Sequence, residues 1–137
     1  MFAYVAAFAN PCDGVSRTIS EKDKQRFAPE IARQLRAQNS EVVSVRVLQY
    51  FAYKEWRVIY VDTQVSDEVF LIFHGSPLTG RYLDTLSGAY AMDEEKSAYG
   101  QLINGKSRGI PPKLARCIAW HIAKNGENGS VPIVLSR

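Results

Sequence analysis

Residues 41–74 read EVVSVRVLQYFAYKEWRVIYVDTQVSDEVFLIFH, and this run decides the fold. Three segments within it, at 41–49, 56–63 and 68–74, are rich in the β-branched and aromatic residues that suit strands. Tyr53-Lys54-Glu55 and the four residues 64–67 separate them, lengths that suit hairpin connections. The run therefore predicts an antiparallel β-meander. In its second strand Trp56, Val58 and Tyr60 point to one side and Ile59 and Val61 to the other; in the third, Val69, Leu71 and Phe73 oppose Phe70 and Ile72. Both faces are apolar, so each needs cover from helices, from a sheet curled on its own core, or from a second copy of the chain. The last option makes a homodimer an expectation.

Working outward toward the amino end, Phe2–Phe8 alternates weakly and runs into the turn formers Asn10-Pro11-Cys12-Asp13-Gly14, a pattern of strand then loop. Ser20 with Glu21 and Asp23 forms a helix start, and Phe27, Ile31 and Leu35 recur every four residues, predicting an amphipathic helix over 20–38. Pro29 should kink it or begin a second helix. Beyond His74, residues 82–90 and 93–103 read as short helices, the second started by Asp93, Glu94 and Glu95 and stopped by Asn104-Gly105. Pro111-Pro112 and Lys124-Asn125-Gly126 bracket a helix over 111–124, and residues 131–135 read as an edge strand bearing Pro132. The order β-α-β-β-β-α-α-α-β gives an α+β domain spanning residues 1–137.

Composition agrees. The 137 residues are 46% hydrophobic and 23% charged, which excludes wholesale disorder and collagen-like structure. A chain of this size can bury roughly two-thirds of its surface, enough for a core without staples. The longest apolar stretch, Phe2–Ala9, is far shorter than the ~20 residues of a membrane span. With two cysteines far apart, Cys12 and Cys117, and no secretory signal pattern, the expectation is a cytoplasmic protein with reduced thiols.

No set of residues spells out a reaction. Cys117 and His121 stand one helical turn apart, a spacing that could share a metal, but they fall in the same arc as Leu114, Ile118 and Ile122, which must face the core. No second ligand pair accompanies them, so neither a metal nor a cofactor is expected. His74 closes an apolar strand just before Ser76, and with Tyr82 it marks an alternative pocket for a small ligand or a reaction at the open end of the meander. Gly105-Lys106-Ser107-Arg108-Gly109 is basic and glycine-flanked but lacks P-loop spacing, and the prolines after it remove amide donors.

Charge gives the stronger lead. Residues 1–50, 51–100 and 101–137 carry +2, −4 and +5, so the net +3 hides a basic carboxyl end. On the last predicted helix Lys113, Arg116, Trp120 and Lys124 project on one side, away from the buried arc. A tryptophan among cations is an interaction surface. Lys22, Arg26 and Arg33 would add to it if the two helices lay side by side. The expected function is a non-catalytic binding protein for an acidic protein partner. Nucleic acid is disfavoured, since the pI of 8.9 is modest and no nucleic-acid motif is present.

Overall fold

A computed structural model of the protein describes residues 11–87 and 95–125, with the backbone alone at 124 and 125. The strand expectations at 2–8 and 131–135 lie outside these residues. Within them the order is α1 (Glu21–Arg36), β1 (Arg46–Tyr53), β2 (Trp56–Asp62), β3 (Val69–His74), β4 (Asp84–Ser87), α2 (Glu95–Asn104) and α3 (Pro112–Asn125). The four strands form one antiparallel sheet in sequence order, the meander of an α+β fold.

The hairpin from β1 to β2 turns on Lys54 and Glu55, with Tyr53 opposite Trp56 and Lys54 at φ 55°. Between β2 and β3 the Asp62 carboxylate accepts from the Gln64 amide at 2.8 Å and fixes the start of the turn. The first strand begins at Arg46 rather than Glu41, and Val42 and Val45 are buried from an irregular segment before it. Where a helix was expected over 82–90, residues 84–87 are instead strand β4, and 88–90 lie outside the described residues. Phe70 pairs with Leu86 and Leu71 with Thr85, so β4 satisfies the backbone edge that β3 would otherwise leave open.

Both faces of the sheet are covered within the chain. On one, Phe51, Trp56, Val58, Phe70 and Ile72 form a core with Leu102 of α2 and Leu114, Ile118 and Ile122 of α3. On the other, Tyr50, Ile59, Val61, Leu71 and Phe73 meet Phe27, Ile31 and Leu35 of α1. The sheet thus needs no second copy to cover it, which removes the reason for expecting a homodimer. Ser20 caps α1, its hydroxyl accepting from the Asp23 amide at 3.0 Å. Contrary to the expected break, α1 runs unbroken through Pro29. That residue is exposed, so water can serve the carbonyl that loses its partner.

The expectation of reduced thiols fails. Cys12 and Cys117, separated by 105 residues, form a disulfide that ties the turn at 11–14 to the middle of α3. Ser16 and Ala52 exchange two backbone hydrogen bonds of 2.8 Å and lay the following segment along β1.

Candidate interaction site

The arc of α3 expected to face the core does so: Leu114, Cys117, Ile118 and Ile122 are buried, and the small Ala115 and Ala119 let the helix approach the sheet. This orientation turns Arg116 out to solvent, its guanidinium 5.5 Å from the centre of the Tyr99 ring on α2. Lys113 is half-buried, and its Cε lies so close to Gly14 that a side-chain carbon added there would sit 3.1 Å from it. Trp120 is half-buried too, packed against the core and 5.0 Å edge-on from the His121 ring. The stripe is therefore not a row of free side chains. It is a set of cations braced by Gly14, Tyr99 and the core, with one side of Trp120 at the surface. The side chain of Lys124 lies outside the described residues.

The loop before α3 extends this surface. Ser107 and Ile110 turn inward and are buried, while Lys106 and Arg108 between and beside them are exposed. The Ile110 amide donates to the Ser107 carbonyl at 3.1 Å, and Gly109 takes φ 87°, a left-handed conformation that suits glycine. The Lys106 amide donates to the Asp84 carboxylate at 3.0 Å and holds the loop to β4. No acid stands in the first turn of α3, so the positive end of the helix dipole adds to Lys106 and Arg108. The basic glycine loop, read separately in the sequence, runs directly into the helix that carries the stripe.

Where the acids go decides what this end is. The ion pairs among the described residues join Arg26 to Asp23, Arg33 to Glu30, Arg46 to Asp62, and His74 to Glu55. None involves Lys106, Arg108, Lys113 or Arg116. The basic face expected on the first helix does not join this end: α1 covers the sheet face opposite to α3, and of Lys22, Arg26 and Arg33 the two arginines pair with acids of their own helix.

His74, Ser76 and Tyr82 do not converge. His74 shares a sheet face with Trp56, its ring 4.6 Å from the indole and its Nε2 3.7 Å from Glu55. Ser76 uses its hydroxyl to accept from the Leu78 amide at 3.0 Å. Tyr82 lies on the other face, edge-on to Phe73 at 6.3 Å. The residue that organises this loop is one the sequence did not flag. Gln34 of α1 is buried, donates to the carbonyls of Pro77 and Gly80, and accepts from the Tyr82 amide. A cleft of about 550 Å³ lies instead between β4 and α2, with Asp84, Gln101, Asn104 and Lys106 around Leu86 and Leu102. No histidine or cysteine lines it.

No family model matches the chain, and no similarity to a curated protein or to a solved structure is found. No helix among the described residues is long and apolar enough to cross a membrane.

Proposed function

We propose that the protein is a non-catalytic binding protein that docks an acidic protein partner on the cationic end formed by the 105–111 loop and α3. The observation that carries this reading is that Lys106, Arg108, Lys113 and Arg116 fall in a stretch, 96–126, without a single acidic residue, and that none of them has an ion pair among the described residues. Bracing Arg116 on Tyr99 and Lys113 on Gly14 lowers the side-chain entropy that binding would otherwise cost, and the exposed side of Trp120 offers an aromatic edge beside them. The disulfide supports work in an oxidising compartment rather than in the reduced cytoplasm expected from the sequence.

The test uses fluorescein-labelled polyglutamate as the acidic probe, read by anisotropy. Wild-type binding should weaken as salt rises, since exposed charges are screened over about 8 Å at physiological ionic strength. Arg108→Glu with Arg116→Glu should weaken it tenfold or more, and Lys22→Glu with Arg26→Glu on α1 should leave it unchanged. Equal loss from both pairs would mean that only net charge matters and would overturn the assignment. Tighter binding to duplex DNA than to polyglutamate would replace the acidic protein with nucleic acid.

A further inference from the structure

Arg17 lies between the disulfide-bonded turn and α1. Its guanidinium is half-buried, yet among the described residues no carboxylate pairs with it. Nε donates to the Tyr50 carbonyl at 3.0 Å and one Nη to Gln49 Oε1 at 3.1 Å, and the group sits 4.2 Å from the centre of the Phe51 ring. Its other Nη lies 2.6 Å from His121 Nε2. A guanidinium carries only donors, so Nε2 accepts, and His121 is the neutral imidazole with its proton on Nδ1. His121 stands one turn after Cys117, and a ring nitrogen lies within 4.8 Å of both disulfide sulfurs.

A positive charge is thus held next to the disulfide, one imidazole away, with no anion among the described residues to balance it. Burial pushes the Arg17 guanidinium down to about 10, which leaves it charged at neutral pH. Desolvating an unbalanced cation is costly, and an anion formed nearby offsets the cost. The anion this place can form is a cysteine thiolate. The same charge weighs against a metal ion on Cys12, Cys117 and His121, because a dication would meet Arg17 across the same ring.

The two sulfurs are not equivalent. Both residues are buried, but Cys12, 8% exposed, lies in a turn followed by the exposed Asp13 and Gly14, whereas Cys117 has no exposed surface on the inner side of α3. We infer that Cys12–Cys117 is a redox-active disulfide that exchanges with dithiol donors by attack at Cys12, with Cys117 leaving as a thiolate held by His121 and Arg17. The donor thiolate bonds to Cys12 Sγ as the protein S–S bond breaks, and the electron pair of that bond leaves on Cys117 Sγ beside the His121 ring. The second thiolate of the donor then attacks the donor sulfur of the mixed disulfide and releases Cys12. The donor ends as a disulfide and the protein as a dithiol, with both protons supplied by the donor thiols. Two backbone bonds between Ser16 and Ala52 tie down the segment behind the turn independently of the disulfide, so reduction should release the turn alone.

The experiment measures the rate at which dithiothreitol reduces the folded protein at pH 7, by quenching with an alkylating agent and weighing the products. Arg17→Gln should slow reduction about tenfold, because the leaving thiolate loses its charge partner, while Arg17→Lys should retain most of the wild-type rate. A merely structural Arg17 moves the rate the other way, since looser packing exposes the disulfide and speeds its reduction. An unchanged or faster rate in Arg17→Gln therefore overturns the inference. Should Arg17→Gln fail to fold, the wild type decides: treated with glutathione and digested, it should carry the mixed disulfide on Cys12, and a mixed disulfide on Cys117 contradicts the mechanism.

Discussion

Ile118 is fully buried at the centre of the inner arc of α3, where it meets the sheet. Ile118→Ala should destabilise the fold by roughly 2–5 kcal/mol through lost transfer energy and the cavity left behind, measured by urea unfolding. A loss under about half a kcal/mol would mean that the site repacks freely, against the close fit of Ala115 and Ala119 around it. Tyr60 makes a second residue-scale prediction. It is stacked on Phe70 at 4.2 Å, and burial, with Glu68 and the nearby aspartates, pushes its phenol up to about 12. Because the folded-state value lies above the unfolded one, this contribution is fully present below about pH 10 and is lost as pH rises toward 12, at about 1.4 kcal/mol per pH unit. Arg17, shifted down, changes stability in the opposite direction over the same range, so the wild type alone does not isolate Tyr60. The difference between wild type and Tyr60→Phe does: it should be flat below pH 9.5 and move in favour of the variant above pH 10. A flat difference through pH 11 would show that the phenol ionises as easily folded as unfolded.

At the scale of elements, α1 shows a propensity rule overridden by packing. Pro29 costs the helix a hydrogen bond, but Phe27, Ile31 and Leu35 on one stripe bury enough apolar surface to carry the helix past it. Pro29→Ala should therefore stabilise the protein by about 1–3 kcal/mol, seen as a higher urea midpoint, because the exposed position needs no proline ring. Destabilisation would show that the ring makes a contact the helix depends on. The meander, α1 and α3 were legible because period and punctuation agree over long stretches. Strand β4 was not: its four residues, Asp-Thr-Leu-Ser, carry a single core side chain, Leu86, and become a strand because β3 presents an open edge. The disulfide was also illegible, since two cysteines 105 residues apart give no local signal and only the docking of α3 beside the turn brings them together. Gln34 and Arg17 share that cause: their partners lie in distant segments.

Over the whole molecule, the charge blocks of the sequence survive folding in part. The ion pairs described neutralise charges within residues 21–74, and the cations at 106–116 remain outside any of them. That the carboxyl block is basic was readable from the charge count; that Lys106 and Arg108 face solvent while Ser107 and Ile110 turn inward was not. Trp120 proved more buried than a solvent-facing stripe implies, because α3 lies close to the sheet over its alanines. The proposed seat of an acidic partner is this end of α3. It is tested most directly by amide and indole NMR shifts of the wild-type protein titrated with a glutamate-rich peptide. Perturbations should concentrate at residues 105–116 and the Trp120 indole and be reversed by added salt; shifts concentrated at Asp84, Thr85 and Gln101 in the cleft between β4 and α2, or none, would place the partner elsewhere.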